Sequence, residues 1–198
     1  MLTLVHATQS RSFRILWLLE ELGADYDIRA VSIHRRDGSG GTDPNNPHPH
    51  GQVPALIHDG TVVTESTAIA LYLTDLFPGC EMGRDVGTHE RGPYLSWLAY
   101  YAGVIEPAAI THMNGWTAGN AEAARLHKAM CDHVISTLEK QPYLIGDRPC
   151  SVDVILSSSL MWMRALLPES GAVDDYLARM AARPALAKAQ AKDGMEGK

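Results

Sequence analysis

The feature that most constrains this chain is a change of character at Pro78-Gly79. Before it, apolar residues recur with both strand and helix periods. After it, only the helical period remains. Residues 2–6 (L-T-L-V-H) read as a short uncharged strand. Phe13, Leu16, Trp17 and Leu19 fall on overlapping faces and make 11–22 a helix, with Gly23 as its stop. Residues 26–33 alternate apolar and polar, the pattern of a half-buried strand. Residues 37–51 are rich in Gly, Pro, Asn and Asp and read as a long loop. V-P-A-L-I-H and T-V-V then flank Asp59-Gly60, a two-residue hairpin signal. Ala68, Ile69, Leu71, Tyr72, Leu73 and Leu76 give 65–77 a helical face, stopped by Pro78-Gly79.

Cys80 to Thr88 is a polar, Gly-bearing stretch. Beyond it, 89–116, 121–139, 151–167, 173–182 and 184–191 all carry helical spacing, and 151–167 is apolar almost all round, as a buried central helix is. The expected organisation is therefore an α/β unit over 1–78, a linker over 79–88 and an all-helical domain over 89–198.

Charge and cysteine usage exclude several classes. Lys plus Arg number 17 against 23 Asp plus Glu, a formal net charge of −6. No basic face is implied, which argues against nucleic acid as a partner. The longest apolar run is about six residues, far below the ~20 of a membrane helix. The N-terminus lacks the basic and apolar regions of a secretory signal. Cys80, Cys131 and Cys150 are odd in number with no C-x-x-C pair, which fits a reduced compartment, the cytoplasm by default.

Each candidate site has a bland reading beside its functional one. Val53-Pro54 is either an ordinary trans proline entering a strand or a cis step that turns the Val53 backbone toward an extended peptide ligand. Thr64, Ser66 and Thr67 are candidate helix caps. With Glu65 they also offer a helix N-terminus for a carboxylate beside an acid for an ammonium, the pair that an α-amino acid end requires. Ser10 and Ser12 precede the first helix. Either is a cap or a hydroxyl that donates to a bound thiolate and lowers its pKa. Arg11 and Arg14 read as solvated. His48 and His50 form an H-x-H in the loop, but no third and fourth ligand completes a zinc set. Gly38, Gly40 and Gly41 do not make a dinucleotide fingerprint, and the P-loop and hydrolase-elbow patterns are absent.

The order of these pieces carries more than any one of them. S-R-S-F-R-I-L-W-L-L-E-E-L-G, then N-P-H-P-H-G-Q-V-P-A-L-I, then D-G-T-V-V-T-E-S-T-A-I-A-L-Y-L resembles the first half of a cytosolic-type glutathione S-transferase. Y-L-S-W-L-A-Y and P-Y-L-I-G-D-R-P-C-S-V-D extend the likeness through the helical half. The first segment is closer to a bacterial and fungal, Ser-dependent subgroup than to the Tyr-dependent animal classes. The resemblance implies a thioredoxin-like domain with a mixed four-stranded sheet, followed by a helical bundle. It implies glutathione as cosubstrate with no metal, a largely apolar electrophilic second substrate, and a homodimer. It places glutathione on Gln52, Val53, Pro54, Glu65 and Ser66, and gives the thiolate contact to Ser10, with Ser12 as fallback and Thr8 or Gln9 assisting. The second-substrate pocket would lie between Ala7–Arg11 and the helix over 89–116, drawing on Tyr101, Ile105, His112 and Trp116. Conjugation is the leading reaction. Glutathione-dependent peroxidase, reductase, isomerase or ether-cleaving chemistry is one alternative, and a non-catalytic ligand carrier is another.

Two departures from the family pattern stand out. Cys150 occupies the place of a Ser or Thr cap three residues before Asp153, so the cap is expected to be weaker by about 0.5–2 kcal/mol, unless Ser151 caps instead. The loop over 37–51 has G-S-G-G where the family often has a helix, which leaves the partners of the glycyl carboxylate (His34, Arg35 or His50) open.

Overall fold

Alternation, hairpin and helical spacing resolve into two compact units in the computed structural model, which describes residues 1–194. One unit comprises Met1–Met82 together with the segment from Arg183 on; the other is Gly83–Ala182.

In the first unit, β1 (Leu2–His6) is followed by α1 (Phe13–Leu22), β2 (Tyr26–Ala30), β3 (Ala55–His58), β4 (Thr61–Thr64) and α2 (Ser66–Leu76). The sheet order is β2-β1-β3-β4. β1 pairs parallel with β2 and antiparallel with β3, and β3 pairs antiparallel with β4. This is the mixed four-stranded, thioredoxin-like arrangement that the resemblance implied. Asp59 (φ 48°) and Gly60 (φ 84°) make the β3–β4 turn, both with positive φ as a primed hairpin turn requires. α1 is buried along most of its length through Ile15, Leu16, Trp17, Leu18 and Leu19. Arg14, expected in solvent, is buried as well. The 37–51 loop contains no helix. Gly40 (φ +74°) is required there, because a Cβ at that position would lie 2.0 Å from the Ile33 carbonyl oxygen.

The second unit is helical: α3 (Arg91–Tyr100), α4 (Glu106–Met113), α5 (Ala121–Leu138), α6 (Ser151–Trp162) and α7 (Gly171–Ala181). The helix expected over 89–116 is interrupted by a π-helical turn at Tyr101–Ile105. Pro107, in the first turn of α4, has no N–H for the carbonyl four residues back, and the wider turn accommodates that lost donor. The apolar run over 151–167 ends as α6 at Trp162 and continues as a 3-10 turn over Arg164–Leu166.

The last helix, α8 (Pro184–Asp193), joins the first unit, against the expectation that everything beyond 89 forms one helical domain. Two ion pairs draw it onto α1: Arg183 to Glu21 (2.6 and 2.8 Å) and Lys192 to Glu20.

α6 is capped at Cys150, not Ser151, whose hydroxyl lies 2.6 Å from that of Tyr94. The Asp153 carboxylate, fully buried, accepts the Cys150 N–H (2.8 Å), the Leu144 N–H (2.9 Å) and the Cys150 thiol (3.1 Å). The weak thiol cap is thus reinforced by an acid that holds two chain segments. Burial raises the Asp153 pKa despite these donors. Asp153→Ala orphans buried donors worth about 1–3 kcal/mol each. It is expected to cost about 3 kcal/mol or more in urea unfolding, with Asp153→Asn recovering part of the loss.

Candidate functional site

The first unit brings the expected glutathione residues to the ends of its elements. β1 ends at His6, the chain turns through Ala7–Arg11, and α1 begins at Phe13. Ser12 is the N-cap residue of α1 by position, yet its side chain makes no cap bond. The hydroxyl is instead wholly buried, accepting the Ala7 N–H (3.2 Å) and lying 2.8 Å from Nδ1 of His6. Ser10 is half-buried and donates to the Ala7 carbonyl at 2.6 Å, with the Ser12 hydroxyl 2.8 Å away. Neither serine caps a helix. Of the two, Ser10 has the solvent-facing surface.

The Val53-Pro54 peptide is cis, the second of the two readings that the residues allowed. Val53 is buried and packs with Val5, Ala7 and Ala55, which fixes this segment beside the end of β1. Gln52 is exposed, and its carbonyl accepts the Asn46 side-chain amide at 3.0 Å.

α2 begins without a side-chain cap bond from Glu65, its N-cap residue. Its first-turn N–H groups therefore keep their capacity for an anion. Glu65 precedes them at φ 69°, ψ 123°, a backbone state that costs a non-glycine residue about 1–3 kcal/mol. Glu65 is exposed and Ser66 half-buried. His48, buried and expected as a loop histidine, has its imidazole pKa lowered by burial and partly restored by the Glu65 charge. Its Nδ1 accepts the His50 N–H at 3.1 Å, so the H-x-H is a local turn. Among the described residues no group of three His, Cys, Asp or Glu could hold a metal ion. Arg35 donates to the Thr8 carbonyl at 2.8 Å, and Nε2 of His34 lies 3.2 Å from the Thr42 hydroxyl.

In the second unit, the proposed pocket residues divide. Tyr101 and Ile105 are buried in that unit's own core, with the Tyr101 hydroxyl 2.7 Å from that of Ser159. His112 and Trp116 are exposed, and the His112 ring stacks on His127 at 4.4 Å. The residues missed from sequence are His6 and Asp193. His6 read as the end of an uncharged strand, and Asp193 lay beyond the last periodic segment. Only the fold brings them together.

An uncapped α2 start, a cis step before β3 and a hydroxyl at the α1 start are the parts of the candidate site. Residues 1–75 match the family described as glutathione S-transferase, N-terminal domain. Over the whole length, a glutathione transferase from Methylococcus capsulatus of known structure is 31% identical, with 98% of this chain and 99% of that one covered at a TM-score of 0.80. The chain belongs to the glutathione S-transferase family. The glutathione S-transferase GstA of Escherichia coli O157:H7 is 28% identical over 185 residues, 90% of this chain and 92% of that protein. A sphingomonad glutathione S-transferase solved in complex with glutathione is 25% identical, with a TM-score of 0.80 over 98% of this chain and all (100%) of that one. As an enzyme of this glutathione S-transferase family, the chain has no helix among its described residues long and apolar enough to cross a membrane.

His6, His48 and His127 all have imidazole pKa values pushed down by burial. The unfolded chain takes up these protons near the ordinary imidazole value of about 6.5, while the folded chain resists until the lowered values are reached. Stability is therefore expected to fall as the pH drops through and below about 6.5. Urea midpoints measured from about pH 7.5 to 5.5 check this. A midpoint that stays flat or rises would contradict it.

Proposed function

We propose that the protein joins the thiolate of reduced glutathione to an electrophilic carbon of a largely apolar small molecule. The observation that carries this reading is the start of α2, where N–H groups without a side-chain cap sit beside the exposed acid Glu65. A γ-glutamyl end has both a carboxylate and an ammonium. The N–H groups and the Ser66 hydroxyl suit the first, and Glu65 suits the second. The Val53 backbone lies along the peptide, and Gln52 reaches toward its glycyl end. Ser10 donates to the sulfur, in keeping with the Ser-dependent rather than Tyr-dependent classes.

The chemistry asked of the protein is small. The helix start and the Ser10 hydroxyl lower the pKa of the bound thiol from about 8.5 toward neutrality. The thiolate then attacks the electrophilic carbon, an S–C bond forms, and the electron pair of the broken bond leaves with its group. Positioning and anion stabilisation supply the rate. Within the first unit, the second substrate is placed against Ala7–Arg11, beside the Ser10 hydroxyl. No protein cysteine lies near Ser10 in the sequence, which favours conjugation over redox chemistry. A cytoplasmic homodimer belongs to the same proposal, with the solution mass by light scattering as its check.

Calorimetric titration with reduced glutathione and a chloronitrobenzene conjugation assay test the reading together. Ser10→Ala is expected to lower turnover at neutral pH by tenfold or more while changing the dissociation constant less than about threefold. Glu65→Gln is expected to weaken binding about tenfold or more, because it removes the partner of the ammonium. Absence of binding at millimolar glutathione would overturn the proposal. Binding without turnover across electrophiles and peroxides would identify a carrier instead.

A further inference from the structure

The contacts that begin at Ser10 continue inward to a histidine and an acid that the glutathione reading does not use. His6, 2% exposed, lies at the end of β1, with its Nδ1 2.8 Å from the Ser12 hydroxyl. On the other side of the ring, Nε2 faces an Asp193 carboxylate oxygen at 3.3 Å. That contact is an ion-pair approach rather than a full hydrogen bond, with Asp193 the acid beside the buried Nε2. Asp193 sits in the last turn of α8, and both of its carboxylate oxygens also lie 3.3 Å from the Gln9 N–H. Gln9 stands at φ 52°, within the same Ala7–Arg11 turn that carries Ser10. One carboxylate thus faces both the imidazole and the backbone of this turn.

Proton bookkeeping gives the arrangement a direction. A carboxylate beside Nε2 favours the tautomer with its proton on that nitrogen, which makes Nδ1 an acceptor. The donor facing Nδ1 is the Ser12 hydroxyl. Ser12 then has no proton for the Ala7 carbonyl at 3.3 Å or for Ser10 at 2.8 Å. Its oxygen still accepts the Ala7 N–H, at 3.2 Å. The Ser10 oxygen accepts the Ser12 N–H at 3.2 Å, which fixes its place, and its own proton rests on the neutral Ala7 carbonyl. An anionic sulfur is a stronger acceptor than that carbonyl. The opposite tautomer would make Nδ1 a donor to Ser12 and turn the Ser12 proton onto the Ser10 oxygen or the Ala7 carbonyl, which changes the hydrogen bonds that hold Ser10 in place.

We propose that His6, oriented by Asp193, is a positioning residue that commits the Ser12 proton inward and leaves Ser10 as the hydroxyl that donates to the ligand sulfur. This rests on the glutathione reading above and deepens it. It also assigns α8 a part in the chemistry of the first unit, through an acid far from the site in sequence.

Nitrogen-15 NMR of the His6 ring in the intact protein tests the tautomer directly, with Nε2 protonated and Nδ1 not as the expected result. The pKa of the bound glutathione thiol, read from thiolate absorbance against pH, tests the consequence. His6→Phe is expected to raise it by on the order of one unit and to lower kcat at neutral pH about tenfold, with the dissociation constant of glutathione changed less than about twofold. His6→Asn, whose side-chain oxygen can replace Nδ1 as acceptor, is expected to recover most of both effects. Asp193→Ala is expected to move the thiol pKa in the same direction as His6→Phe, and it serves as the second probe if the phenylalanine does not fold. A protonated Nδ1 would overturn the proposal. So would variants that lose only thermal stability while the thiol pKa stays at the wild-type value. Ser10→Ala run in parallel separates the two readings. If it leaves the thiol pKa unmoved, the Ser10 contact itself is wrong. If it moves the pKa and the His6 and Asp193 variants do not, only the positioning role is wrong.

Discussion

A buried hydroxyl must find partners, and that of Ser12 settles the turn between β1 and α1. Its position invites a helix cap, yet it bonds to the end of β1 through His6 and the Ala7 amide. Strand end, turn and helix start are thereby held by one atom that solvent does not reach. Ser10 inherits its place from that arrangement, since its oxygen accepts the Ser12 N–H and its proton lies on the Ala7 carbonyl. The Val53 side chain packs against the same strand end, which sets the peptide-facing segment beside the hydroxyl. The parts of the proposed site are thus fixed by the core of the first unit.

Charge poses the second constraint. The chain carries a formal net charge of −6, and glutathione is itself a net anion at neutral pH. Long-range attraction is unavailable, so recognition falls to local features: helix N-termini, backbone N–H groups and one acid for the ammonium. The start of α2 is suited to this because Glu65, its N-cap residue, makes no side-chain cap bond to the first-turn N–H groups. Strain at Glu65 accompanies the same feature, since a φ of 69° keeps that residue out of the helix.

Much of this was legible in the sequence where a signal is local. Leu2–His6 is a strand as expected, and the Asp59-Gly60 turn forms the hairpin, because alternation and turn chemistry act between near neighbours. Family resemblance extended that reach to the mixed sheet and the helical bundle. What was not legible depends on long-range packing. The interruption of the 89–116 helix falls at Pro107, whose missing N–H leaves no mark on the spacing of the apolar residues. The return of α8 to the first unit rests on Arg183 and Lys192 meeting Glu21 and Glu20, partners that lie more than 160 residues apart. Asp193 meets His6 through the same long-range packing. The solvation expected for Arg14 failed because α1 is buried on nearly every face.

The most direct measurement is a crystal structure of the protein with reduced glutathione. The account places the sulfur within hydrogen-bond distance of Ser10 Oγ, the γ-glutamyl carboxylate on the α2 N–H groups beside Ser66, and the ammonium against Glu65. A sulfur turned away from Ser10, or a γ-glutamyl end bound away from the start of α2, would contradict it.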